Sequence, residues 1–123
     1  MSVDLLARYR DYVDAFNAHD LRALEDHLHP DVVFEWDGVM PDLVGRRAFL
    51  DFYRLAWDHF DEIIRPRVIE VGDDALRAWI DTELRIVRDW PDCPIRPYAA
   101  GEIHHIAGEV AYRFQGHRIA HIA

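Results

Sequence analysis

One cysteine, Cys93, in 123 residues excludes any intramolecular disulfide, so a hydrophobic core must hold this chain together without covalent staples. A reducing, cytoplasmic setting is the expectation that follows. No stretch approaches the apolar length of a membrane-spanning helix, and the start, Met1-Ser2-Val3-Asp4, lacks the basic region and apolar run of a signal peptide. Cations are scarce: 14 basic residues face 23 acidic ones, for a formal net charge of −9. This balance disfavours general attraction to nucleic acid phosphate or to an anionic membrane surface, local arginine patches aside. Also absent are a glycine-rich phosphate loop, a nucleophile elbow, His/Asp/Glu spacing of a metal motif, internal repeats and low-complexity linkers. Half of the residues are hydrophobic, enough for one domain spanning residues 1–123.

What is present starts with Leu5 to Trp36. Leu5, Leu6, Tyr9, Tyr12, Val13 and Phe16 recur at three and four, which places them along one face of a helix of about four turns. Asn17-Ala18-His19-Asp20 interrupts the pattern, and Asp20 caps a shorter helix with Leu21, Leu24 and Leu28 on its inner face. His29-Pro30 stops that helix, and Asp31 to Trp36 reads as a strand built on Val32, Val33 and Phe34.

Asp37 to Val44, with Gly38 and Pro41, reads as a loop. Gly45 opens a third helix carrying a broad aromatic stripe: Phe49, Phe52, Tyr53, Ala56, Trp57 and Phe60. Core packing is the ordinary role of such a stripe, and lining a cavity is the other. From Ile63 to Val71 the period is that of a strand, with Pro66 marking an edge or a bulge. Ala75 to Arg88 alternates strictly, putting Leu76, Ala78, Ile80, Thr82, Leu84 and Ile86 on one face and Arg77, Trp79, Asp81, Glu83 and Arg85 on the other. Pro91, Pro94 and Pro97 make Trp90 to Tyr98 a stiff loop. Glu102 to Gln115 and Arg118 to Ile122 are then strands joined by a turn at Gly116-His117.

This succession, with the wording AFNAHDLRALEDHLHPDVVFEWDG, resembles the SnoaL-like branch of the nuclear transport factor 2-like superfamily, which includes the ketosteroid isomerases. The resemblance implies an α+β fold: a curved mixed, largely antiparallel sheet wrapped around three helices from the N-terminal half, a cone-shaped, cystatin-like α+β barrel. An apolar pocket lies between sheet and helices, with the 37–44 loop over its mouth. It also implies a homodimer through the outer sheet face, here Trp79, Arg77, Asp81, Glu83 and Arg85. No cofactor is implied. The motif specifies a fold more than a reaction.

Laid over this chain, the isomerase pattern puts its oxyanion-donating tyrosine on Tyr12. Its base falls on Trp36, whose indole donates but cannot accept a proton, and its second donor falls on Val110. Glu35 and Asp37 reach the base position only through a one-residue register slip. Limonene-epoxide-hydrolase relatives need an Arg-x-Asp where this chain has an apolar face at Ile80 and Thr82. Scytalone-type dehydratases carry Tyr-Asp where this chain has Phe16-Asn17.

Strand parity supplies another candidate. Glu102, His104, Ile106, Gly108, Val110, Tyr112 and Phe114 share one face if no bulge intervenes, and alternate residues lie about 6.6 Å apart along a strand. The expected catalytic set is His104 as general base or acid, Glu102 orienting it, and Tyr12 donating to a carbonyl oxygen. Phe16, Trp36, Tyr53, Trp57, Val110 and Tyr112 are the expected lining of a site for a small hydrophobic ligand. The alternatives are a solvated Glu102–His104 pair and a core Tyr12. Two functions follow: a cofactor-independent isomerase, cyclase or dehydratase acting on a small hydrophobic carbonyl compound of polyketide, terpenoid or steroid-like kind, or a non-catalytic ligand-binding or dimerisation module.

Overall fold

The computed structural model describes residues 4–123. Helix α1 (Leu5–Asn17) starts where the Asp4 carboxylate accepts the Ala7 N–H at 3.1 Å, and it buries Leu5, Tyr9, Tyr12, Val13, Ala15 and Phe16. Helix α2 (Leu21–His27) starts on Asp20, whose side chain takes the Ala23 N–H at 3.0 Å. These caps satisfy amide groups that a first turn leaves without partners. Strands β1 (Leu28–Trp36) and β2 (Met40–Val44), helix α3 (Arg46–Ala56), and strands β3 (Phe60–Val71), β4 (Ala75–Ile86), β5 (Ile103–Gln115) and β6 (Arg118–Ile122) complete the chain.

The strands form one six-stranded sheet in the order β2-β1-β6-β5-β4-β3. Only β1 and β6 pair in parallel; every other pair is antiparallel. The result is the α+β sheet wrapped around helices that the family resemblance implied. β4 keeps its alternation, with Leu76, Ala78, Ile80, Leu84 and Ile86 buried against the helices and Trp79 38% exposed on the outer face. β3 is an edge strand, which accommodates Pro66 because an edge needs no donor on its free side. The parallel ladder ends at Ile122, and Ala123 exchanges both backbone hydrogen bonds with Ala111. Residues 103–110 of β5 therefore pair with β4 alone, and this gap beside β1 opens the interior.

Five boundaries differ from the sequence reading. The strand read as Ala75 to Arg88 ends at Ile86. Leu28 belongs to β1, where it pairs with Ile119, and not to the second helix; the pairing with β6 is irregular between Leu28 and Val33 and so tolerates Pro30. The 37–44 segment is a tight turn plus an edge strand, with Met40 opposite Trp36 and Leu43 opposite Phe34. The third helix ends at Ala56, so Phe60 opens β3 and the strand reaches three residues further back than Ile63. Glu102 lies outside β5, in the turn after Gly101. A register shift between Phe34 and Trp36 sets Glu35 alone against Pro41 and Asp42, so the extra residue lies in β2 and β1 is not turned over.

Gly45 stands at φ +93°, a region an L side chain enters only with strain, and its N–H donates to the Val32 carbonyl at 2.7 Å, locking the start of α3 onto β1. One hydrophobic cluster joins all three helices to the sheet. Among the described residues no helix is long and apolar enough to cross a membrane.

Candidate functional site

The inner faces of α1, α3 and the sheet enclose a cavity of about 210 Å³. Tyr12 and Phe16 from α1, Tyr53 and Phe52 from α3, and Ile80, Thr82 and Leu84 from β4 form its wall. Trp36 and Glu35 from β1, with Ala107 and Glu109 from the free stretch of β5, lie around its opening.

At its floor is a residue the sequence reading passed over. Phe60, Glu62 and Ile64 share the inward face of β3, and Glu62 is 9% exposed between neighbours that are 1% and 6% exposed. Burial in this apolar setting pushes its carboxyl up to about 7, against the smaller, opposing pull of a hydrogen bond from the Trp57 indole to Oε1 at 3.2 Å. An acid–base group poised near neutrality is what proton transfer at physiological pH needs. Its signal in the sequence was an acidic residue at core parity, Phe-x-Glu-x-Ile. Assigning Phe60 to the preceding helix hid it.

Four tyrosines pack near this floor. Tyr9 and Tyr112 are joined hydroxyl to hydroxyl at 3.3 Å. The hydroxyls of Tyr12 and Tyr53 take no partner among the described residues, yet neither is sealed from the cavity. Burial first, then neighbouring ionisable groups including Glu62, hold both phenols far above their ordinary range. They stay protonated and are free to donate. Glu35, Glu62 and Glu109 are the acidic residues along the cavity, but the Glu109 carboxylate turns outward to Arg77 at 2.7 Å and that of Glu35 lies 3.3 Å from His121 Nε2; no arginine or histidine lines the cavity. All 14 basic residues of the chain are arginines, so no lysine amine is available for Schiff-base chemistry.

Of the residues singled out from sequence, Tyr12, Phe16, Trp36, Tyr53, Val110 and Tyr112 line this cavity. Trp57 stands behind Glu62 as its hydrogen-bond donor. Glu102 and His104 are brought together, Oε1 to Nε2 at 3.3 Å, but neither lines the cavity. His104 has the inward parity, yet the 90–98 loop folds over that end of the sheet and sets the Tyr98 ring 4.8 Å from the imidazole. Glu102 is exposed and accepts the Ala99 N–H at 2.7 Å; that bond first, and His104 second, hold its carboxyl below the usual range. Among the described residues no cluster of His, Cys, Asp or Glu could hold a metal ion.

A curved sheet closed over three helices around one largely apolar cavity defines the nuclear transport factor 2-like class. Within it, the chain belongs to the SnoaL-like domain family, whose model matches residues 9–122. None of the curated proteins matches the chain. Among solved structures it is similar to a candidate polyketide cyclase of Xanthomonas campestris pv. campestris, at 21% identity and a TM-score of 0.82, over 97% of this chain and 87% of that one. It is similar also to an LEH-like epoxide hydrolase of Mycobacterium tuberculosis, at 14% identity and TM-score 0.75, over 94% of this chain and 77% of that one. A third is a Mycobacterium tuberculosis protein in complex with estradiol-17β-hemisuccinate, at 15% identity and TM-score 0.76, over 96% and 89% of the two chains. At these identities the likeness is one of fold.

Proposed function

We propose that this protein is a cofactor-independent enzyme of isomerase, cyclase or dehydratase type, acting on a small uncharged carbonyl compound. Glu62 transfers the proton; Tyr12 and Tyr53 donate to the carbonyl oxygen. The observation that carries this reading is the buried Glu62 carboxyl, raised to about 7, in a cavity with two phenols that have no hydrogen-bond partner among the described residues. As carboxylate it removes a proton from the carbon next to the carbonyl, and the resulting enolate oxygen is stabilised by the two phenol donors. As carboxylic acid it returns that proton to another carbon, or to a hydroxyl that leaves as water. The names of a cyclase and an epoxide hydrolase, and a bound steroid ester, among proteins of similar fold are consistent with a hydrophobic substrate.

Size and charge narrow the class. A cavity of about 210 Å³ lies below the roughly 300–1,000 Å³ of drug-sized sites and above the roughly 150 Å³ that holds a benzene, which suits a compound of one or two rings. The buried Glu62 carboxyl, with no arginine or histidine beside it in the lining, disfavours an anionic substrate.

The test is deuterium exchange next to the carbonyl, followed by NMR in D₂O over a panel of cyclic ketones, enones and hydroxyketones. Exchange above the buffer rate, lost in Glu62→Gln and slowed in Tyr12→Phe, is the expected result. His104→Ala examines the Glu102–His104 pair and is expected to retain exchange. The alternative is a binding module of the same fold, favoured by Trp36 and Val110 at the positions where ketosteroid isomerases carry a base and a donor. Binding of panel compounds without exchange would establish that alternative. We also propose self-association through the outer face of β4, where Trp79 is exposed beside Arg77, which pairs with Glu70 at 2.8 Å and Glu109 at 2.7 Å.

A further inference from the structure

Among the described residues, His19 is the sole non-glycine residue at positive φ, +54°. It follows the Ala18 cap of α1, where its own N–H donates to the Phe16 carbonyl at 2.9 Å and the Asp20 N–H donates to the Ala15 carbonyl at 3.0 Å. This is the helix-ending turn in which glycine is the ordinary occupant, because a Cβ there is strained. A strained position held by a bulky residue points to a role for its side chain.

That side chain reaches Glu62 in two ways. Its Nε2 lies 2.9 Å from the Glu62 carbonyl oxygen. A carbonyl only accepts, so this contact means that Nε2 carries a proton and donates, whatever the charge on the ring. The same ring stacks on the Trp57 indole, with centroids 4.3 Å apart and planes 7° from parallel. The indole in turn donates to Glu62 Oε1. One imidazole thus grips the main chain of Glu62 and, through Trp57, its carboxyl.

Asn17 extends the arrangement. Its Nδ2 donates to the Ile64 carbonyl at 2.9 Å and its Oδ1 accepts the Ile64 N–H at 2.8 Å. Because β3 is an edge strand, residues 62 and 64 have no strand on that side, and two side chains from the end of α1 take its place. Nothing about helix termination requires this of His19; a glycine would end α1 with less strain.

We propose that His19 is a positioning residue for Glu62, fixing the strand that carries the carboxyl and the indole that hydrogen-bonds it as one unit. The inference rests on Glu62 being the working group of the cavity, and its test separates the two claims. Around Glu62, Tyr12 faces it from α1, Tyr53 from α3 and Tyr98 from the 90–98 loop, all three with phenols held above their ordinary range, and Leu84 lies opposite on β4.

The experiment follows the Trp57 indole ¹⁵N–¹H resonance, identified by its absence in Trp57→Phe, between roughly pH 5 and 9. In the unaltered protein it inflects with the Glu62 carboxyl, and Glu62→Gln abolishes the inflection. In His19→Gly the inflection moves up by about one unit, because the carboxylate loses its fixed indole donor, while the melting temperature holds or rises. His19→Asn, tolerant of positive φ and still a donor, gives a smaller upward shift and carries the test if the glycine variant does not fold. An inflection in either folded variant that stays in place or moves down overturns the role of His19. An unaltered protein that shows no inflection, or a Glu62→Gln variant that keeps one, overturns the Glu62 reading instead.

Discussion

The indole N–H of Trp57 and the carboxyl of Glu62 meet at 3.2 Å, and they arrive there from opposite directions, one from the end of α3 and one from the start of β3. Between them lie only Asp58-His59-Phe60-Asp61, and His59 holds the turn by a ring contact of 2.9 Å to the Leu55 carbonyl. A short reversal thus brings an amphipathic donor behind a buried acid. Burial raises the acid toward neutrality, and the indole keeps its charged form accessible.

The pH dependence of stability carries this signature. The folded protein keeps a proton on Glu62 up to about pH 7, whereas the unfolded chain releases it near 4.5. Over that interval the folded state binds more protons than the unfolded one, so the Glu62 contribution to stability is greatest below pH 4.5 and is lost as pH rises through 7. At 1.36 kcal/mol per unit the loss is about 3 kcal/mol. Glu62→Gln keeps an acceptor for Trp57 and has no charge to bury. Thermal melts at pH 5 and pH 8 are expected to show a drop in the unaltered protein that the variant lacks, the variant being the more stable of the two at pH 8.

Phenylalanine substitution separates the tyrosines. Tyr12→Phe and Tyr53→Phe remove hydroxyls with no partner among the described residues, so stability is unchanged or slightly higher while exchange activity falls by roughly 10²-fold for each donor lost. Tyr9→Phe breaks the 3.3 Å hydroxyl pair with Tyr112 and costs about 1 kcal/mol of stability, with activity retained. Denaturant titration beside the NMR exchange assay resolves the two patterns.

Trp36 governs what enters. It stands half-buried beside the opening, opposite Met40 across the β1–β2 turn. Trp36→Ala enlarges the cavity and is expected to lower KM for two- and three-ring ketones relative to one-ring ketones, with the Glu62 inflection in place. A variant that loses activity on every ring size alike would instead mark Trp36 as part of the catalytic arrangement.

The outer face has its own readout. Trp79→Glu puts a charge where β4 presents a 38% exposed indole, and the fold does not depend on that side chain for its core. Sedimentation velocity is expected to show a dimer for the unaltered protein and a monomer for the variant, with identical far-ultraviolet circular dichroism. A monomer in both would remove the proposed association.

The inner and outer faces were legible wherever a local period ran uninterrupted. Helix α1 was marked by Tyr9, Tyr12 and Phe16 at helical spacing, β4 by its strict alternation, and β6 by the Gly116-His117 turn, because each pattern sits within one continuous segment. Junctions were harder to read. Leu28 and Phe60 continue the apolar spacing of the helices before them, and only pairing with Ile119 and with Ile86 makes them strand residues. His104 had the right parity for an inward position, but the 90–98 loop, closed by the Trp90–Tyr98 bridge, lies over it.

The sequence by itself determined the α+β architecture, the aromatic character of the interior, the absence of disulfide staples and the place of Tyr12 on the inner face of the first helix. Only the tertiary structure decided which carboxyl is the buried one. A carboxyl's proton affinity depends on how much water its surroundings remove, and for Glu62 those surroundings come from Tyr12, His19, Tyr53, Trp57 and Leu84, on separate elements of the chain. Periodicity along one segment encodes which face turns inward. It carries no record of what the other segments bring to meet it.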